Sequence, residues 1–228
     1  LLLFSVAFMS ISMDLSRALW ATGSILHLVI SLIVMNSWLH HEKYEIHHIN
    51  PAWFIPAVGN VIVPLAGVPL GYPELSWFFF SIGMTFWLIL MVIVFNRIIF
   101  HIPLPIKLLP TLFILIAPPA VGFLAYIKLT GELDAFAQVL YNFALFLTIL
   151  LLSQLPRFAR LPFFMSWWAY SFPLAAMSIA SMVMGQISGK AFYGYIGQAL
   201  LFALSALVVL LFIKTLKAAQ HGKICVED

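Results

Sequence analysis

Seven stretches of this chain run for twenty residues or more without an Asp, Glu, Lys or Arg, and they decide what it can fold into. They are Ala18–Leu39, Ala52–Pro73, Leu75–Asn96, Leu108–Ile127, Ala135–Pro156, Leu161–Gly189 and Ala191–Ile213. A helix needs about 20 apolar residues to cross a hydrocarbon layer roughly 30 Å thick, so each stretch is long enough to span. Only 8% of the 228 residues are charged, whereas a water-soluble domain of this size uses roughly a quarter. Soluble enzymes and nucleic-acid-binding folds are excluded on that ground. The net charge of +3 rests on eleven Lys and Arg, too few for a basic nucleic-acid face. The single cysteine, Cys225, excludes an internal disulfide framework and a cysteine-based metal cluster.

Leu1–Met13 is also apolar but too short to span, and it lacks the basic start and cleavage site of a signal peptide. It reads as the end of a span whose beginning is missing, which makes eight visible spans with one truncated. The basic residues then act as topology markers. Lys43, Arg97, Lys107, Arg157, Arg160, Lys214, Lys217 and Lys223 fall on one side; Arg17, Lys128 and Lys190 fall on the other. Such a bias places the richer side, and with it the C-terminus, in the cytoplasm.

The prolines sort the spans into two kinds. All thirteen lie in or beside alternate spans. Pro51, Pro56, Pro64, Pro69 and Pro73 mark one; Pro103, Pro105, Pro110, Pro118 and Pro119 the next; Pro156, Pro162 and Pro173 the third. Proline removes an amide donor and frees a carbonyl one turn back. In hydrocarbon, that carbonyl is tolerated only where protein or a water-filled cavity satisfies it. The broken helices are therefore expected inside and the smooth ones against lipid. Pro56-Ala57-Val58-Gly59 recurs as Pro119-Ala120-Val121-Gly122, and Pro173-Leu174-Ala175-Ala176 follows at a similar interval. The repeating unit is one kinked helix followed by one straight helix, stacked around an axis.

His48 to Asn60, followed by Pro64-Leu65-Ala66-Gly67, resembles a helix motif of the tellurite-resistance/C4-dicarboxylate transporter family. That family includes bacterial TehA and the plant slow-type anion channels. Trp167-Trp168-Ala169-Tyr170-Ser171-Phe172-Pro173 resembles a second motif of the same family. The resemblance implies an all-α integral membrane protein built as a ring of helical hairpins. Kinked inner helices would line a pore and straight outer helices would surround them. It implies a ten-helix fold whose first two helices are absent from this chain, three copies per assembly, and Phe172 as a plug in the pore.

No Asp, Glu, Lys or Arg lies within a complete span, which argues for passive conduction over coupled transport. Small inorganic or organic anions are the expected partners, drawn by helix N-termini at the proline breaks and by basic residues at the mouth. Phe172 would gate by excluding water. Pro56, Pro118, Pro119 and Pro173 either shape the pore or only set helix packing. Asn60 either faces the pore or bonds a freed carbonyl. The tryptophans read as packing or interfacial anchors, and His27 as a hydrogen-bonded packing residue. His40, His41, His47 and His48 crowd with Glu42 and Glu45 in one loop, a spacing that could bind a metal, but no second cluster supports it. No metal, cofactor or nucleic acid is assigned. The reading is a non-enzymatic, multi-pass protein of the plasma membrane, a bacterial inner membrane, conducting anions passively. The alternative is a proton-coupled carrier of C4-dicarboxylates such as malate.

Overall fold

The computed structural model describes residues 1–40, 42 and 44–222, and every regular element among them is helical. In chain order these are α1 (Leu2–Phe8), α2 (Met13–His40), α3 (Pro51–Gly67), α4 (Pro73–Phe100), α5 (Ile106–Thr130), α6 (Ala135–Leu152), α7 (Leu155–Ala159), α8 (Met165–Ser188) and α9 (Ala191–Gln220). A 3-10 turn at Ile46–His48 precedes α3. Helices α2, α4, α5, α6, α8 and α9 are long and apolar enough to cross a membrane, and α3 is a shorter apolar helix. The protein is an all-α, multi-pass membrane protein.

The smooth helices overrun their charge-free windows. Helix α4 has 28 residues and includes Glu74 in its first turn and Arg97 in its last. At 1.5 Å per residue it measures about 42 Å, longer than the hydrocarbon alone. Charge scarcity therefore marks the hydrocarbon stretch, while hydrogen bonding carries the helix on into the headgroup layers. Asp14 and Arg17 likewise lie inside the first turns of α2, paired at 3.1 Å.

The broken helices switch hydrogen-bond pattern along their length. Helix α5 runs as a 3-10 helix over Ile106–Ile116 and becomes α-helical at Ala117, so Pro118 and Pro119 sit in its first α turn. Helix α8 is 3-10 over Met165–Tyr170 and α-helical from Ser171, with Pro173 in that first turn. Helix α3 alternates: 3-10 at Pro51–Trp53, α at Phe54–Val58, 3-10 at Gly59–Ile62 and α at Val63–Gly67, the last with Pro64 near its start. A proline costs little there, because first-turn amides have no partner within the α segment. The freed carbonyls are taken up by local tightening: Ala117 N–H donates to Ile114 C=O and Val63 N–H to Asn60 C=O, each one residue before a proline.

The chain divides into two compact units. The first comprises residues 1–103 and 118–140. In it α2 turns a face of Ser16, Trp20, Gly23, Ser24 and Ser31 inward, a three-and-four spacing that makes one stripe. Ile25, Leu26, Val29 and Ile33 lie exposed on its other side. Small and polar residues at the contact, with large apolar ones outside, is the arrangement that lipid favours. Trp20 packs with Val63, Ala66, Leu70 and Phe79, stacks on Tyr72 at 4.8 Å, and donates its indole N–H to Val63 C=O at 3.0 Å. Ser5 and Ser16 exchange hydroxyl-to-carbonyl bonds of 2.9 and 2.8 Å, closing α1 onto α2.

The second unit comprises residues 104–117 and 141–228, described to 222. Pro110 lies inside its 3-10 segment. In that pattern residue 110 would have donated to Lys107 C=O, and proline cannot. Ser166 Oγ, from the start of α8, donates to that carbonyl instead. Phe113 packs edge-on against Phe158 and Tyr170. Helices α8 and α9 approach closely at Gly197, where an added Cβ would lie 2.7 Å from Met182 Cγ and 2.8 Å from Ser178 O. Ser178 Oγ donates to Gly197 C=O across the same contact, at 2.8 Å.

Candidate functional site

Phe172 is the second residue of the α-helical part of α8, directly after the 3-10 segment ends. Its side chain is left 39% uncovered, while Tyr170 and Pro173 on either side are buried. The change of helical pitch at Ser171 sets this direction, turning Pro173 and Leu174 into the unit and Phe172 out of it. Pro118 and Pro119 are buried in protein. Pro56 is half-buried and borders an open cavity of about 400 Å³ with Val34, Trp38, Tyr44, His48, Ala52 and Trp53. Trp38 and Trp53 stack at 5.1 Å in its wall, and Tyr44 meets Trp53 edge-on.

Asn60 is fully enclosed. Its Nδ2 donates to Ala57 C=O at 2.7 Å and to Ser31 Oγ at 3.2 Å. Ser31 Oγ in turn donates to Pro56 C=O at 2.7 Å. Asn60 thus ties α2 to the broken stretch of α3, and its Oδ1 has no hydrogen-bond partner among the described residues. Nearby, His27 packs so tightly that a Cβ on Gly59 would come within 2.5 Å of its Cε1. His27 Nε2 and Ser24 Oγ are buried without partners among the described residues. Gly59 makes room for this ring, which the sequence spacing did not reveal.

Arg97 was a loop marker on sequence grounds, yet it lies in the last turn of α4 and is 3% exposed. Its Nη1 donates to Ile102 C=O, and its Nε is buried without a partner among the described residues. A cation there suits the carbonyl end of a helix. The signal for it was available: Arg97 follows an unbroken helical run, with no turn residue before Pro103. At the start of α6, Asp134 accepts the Ala137 amide at 2.9 Å and the Tyr126 hydroxyl. These two bonds, the amide first, hold its carboxyl below the usual carboxylate range.

The loop histidines are engaged locally. His40 Nδ1 contacts Asn36 C=O at 3.1 Å, His47 Nδ1 lies 3.2 Å from Glu45 Oε2, and His48 Nδ1 accepts the Glu45 amide at 3.1 Å. Among the described residues no group of three metal-ligating side chains comes together. His41, Lys43, Lys223 and Cys225 lie outside the described residues.

Residues 1–216 match the family described as voltage-dependent anion channel, also designated SLAC1. The chain belongs to this family. The uncharacterized transporter MJ0762 of Methanocaldococcus jannaschii is 28% identical over 233 residues, covering 92% of this chain and 68% of the relative. The S-type anion channel SLAH3 of Arabidopsis thaliana is 32% identical over 174 residues, covering 76% of this chain and 27% of the relative. The tellurite resistance protein TehA homolog of Haemophilus influenzae is 27% identical over 158 residues, covering 68% of this chain and 48% of the relative. The chain thus spans about two thirds of the first relative and much less of the other two. This is the group that the stretch from His48 to Gly67 and the Trp167–Pro173 motif resemble. The SLAC1 match runs through every broken helix, including the 3-10-to-α junctions of α3, α5 and α8.

Proposed function

We propose that this protein is a passive anion channel in which the broken helices α3, α5 and α8 surround a pore and Phe172 occludes it. The observation that carries the reading is Phe172 itself: a large apolar side chain left uncovered at the pitch change of α8, directly before the buried Pro173. An aromatic ring at such a point narrows a pore without supplying any polar group to hold water, and a dry constriction blocks ions. The matched relatives named as anion channels support an anionic cargo. Pro56, Pro118, Pro119, Pro173 and Asn60 then shape the pore by setting where each helix changes pattern. In this reading the helices form a ring of hairpins, three copies assemble, and the chain sits in a plasma membrane with its C-terminus in the cytoplasm. It carries out no chemistry of its own.

The test is Phe172→Ala, recorded in planar bilayers or oocytes under an anion substitution series. The variant is expected to pass a constitutive anion current. Currents unchanged from the parent would sink the gate. A second reading, a proton-coupled carrier of C4-dicarboxylates, has one observation in its favour: His27 is a titratable side chain in the middle of α2 with a buried, unpartnered Nε2. A carrier's malate flux would stop when the proton gradient is collapsed and when His27 becomes Asn. A channel's anion current would survive both.

A further inference from the structure

The two units differ sharply in charge. The described part of the first holds Asp14, Glu42, Glu45, Glu74, Glu132 and Asp134 against Arg17, Arg97 and Lys128. The described part of the second holds Lys107, Arg157, Arg160, Lys190, Lys214 and Lys217 and no carboxylate. Positive loops alone are common at one face of a membrane protein. Glu227 and Asp228 belong to the same unit but lie outside the described residues, so its described part carries cations alone among its acidic and basic side chains.

All but Lys190 gather at one end of that unit, and the contacts show how. Phe158, between Arg157 and Arg160, is buried against Phe113 and Tyr170, which fixes α7 and leaves both arginines exposed beside it. Trp167 donates its indole N–H to Pro162 C=O at 3.0 Å, holding the segment after α7. Lys214 Nζ lies over the same indole at 5.3 Å and over Phe163 at 5.9 Å. Trp168 Nε1 donates to Thr215 Oγ1 at 3.0 Å, anchoring the last turns of α9. The Ser166 bond to Lys107 C=O brings the start of α5 to the same end. Immediately before and between Lys214 and Lys217, α9 exposes Leu210, Phe212, Ile213 and Leu216. Cations therefore border an exposed apolar face near the end of a helix long enough to cross a membrane.

We propose that Arg157, Arg160, Lys214 and Lys217 form a recognition site for an anionic phospholipid. The phosphate headgroup is held by the two arginines and Lys214, and the acyl chains lie along the exposed face of α9. Guanidinium groups suit phosphate oxygens through paired N–H donors. The ammonium of Lys214, oriented by the rings beneath it, adds a fixed positive charge. The apolar flank of α9 selects a lipid over a free phosphate, since a soluble anion gains nothing from it.

The experiment uses the purified full chain in neutral detergent, with lipid retention measured by native mass spectrometry. Phosphatidylglycerol and phosphatidylcholine of identical acyl chains are compared, and soluble glycerol phosphate is offered as competitor. Phosphatidylglycerol is expected to be retained the more strongly. Arg157→Gln with Arg160→Gln, and separately Lys214→Gln with Lys217→Gln, should each weaken that retention on the order of tenfold, given the usual gain per basic residue at a membrane surface. Lys190→Gln, at the other end of the unit, should leave it unchanged. Equal retention of the two lipids, or parental retention in both pair variants, overturns the site. Displacement by equimolar glycerol phosphate overturns the lipid assignment in favour of a free phosphate. Both arginines are exposed, so that variant keeps the test decisive even if the lysine pair loosens α9.

Discussion

Pro110 and Ser166 lie 56 positions apart, yet one explains the other. The proline leaves the Lys107 carbonyl without its 3-10 donor, and the serine hydroxyl replaces it. Ser166→Ala should lower stability by about 1 kcal/mol, the ordinary worth of one hydrogen bond. Made in a Pro110→Ala background, where the backbone donor is restored, the same change should cost much less. Thermal unfolding in detergent of the two single variants and the double variant measures the coupling. Asp134 offers a second test. Its carboxyl is held low by the Ala137 amide and then by the Tyr126 hydroxyl, so the ionised form is the one that stabilises the fold. That contribution is complete above the unfolded-state carboxyl value, near pH 4, and is lost as pH falls through the lower folded-state value. Asp134→Asn should melt below the parent at neutral pH, with the two curves converging in acid.

Among the helices, the contact between α8 and α9 depends on a residue with no side chain. A Cβ on Gly197 would lie 2.8 Å from the Ser178 carbonyl oxygen and 2.7 Å from Met182 Cγ, too close for either, whereas one on Gly194, a turn earlier, would point into open space. Gly197→Ala is expected to destabilise by about 1–3 kcal/mol through overpacking. Gly194→Ala should be neutral or stabilising by up to about 1 kcal/mol, since alanine is the better helix former. Melting temperatures that move alike for both would contradict the contact. The broken helices follow the same principle of local accommodation. Their prolines were legible as breaks, but a list of prolines does not say whether a freed carbonyl waits for water or is taken by the preceding amide. Ile114 and Asn60 show the second outcome. Pitch change, more than bending, is what distinguishes α5 and α8 from α4 and α9.

For the assembled protein, orientation and copy number each have a direct measurement. Cys225 is the only cysteine, so a membrane-impermeant maleimide should label it in inverted vesicles and spare it in right-side-out cells if the basic end faces the cytoplasm. Light scattering of the detergent-solubilised protein should return three chains per particle. The uneven charge of the two units bears on the same orientation: the described part of the second unit places five cations at one end, and a strongly positive end resists translocation.

The length of the uncharged runs was enough to establish a helical membrane protein, because a bilayer interior admits no other use for seven runs of this length. The alternation of proline-rich and proline-free spans was equally plain, since proline acts on its own helix. What lay beyond reach were the contacts made across long separations. That Asn60 bridges to Ser31, that Gly59 yields space to His27, that Arg97 is enclosed at the end of α4, and that Ser166 answers Pro110 all depend on which helix faces which. Linear spacing specifies a helix and its faces; only packing in three dimensions decides what each face meets.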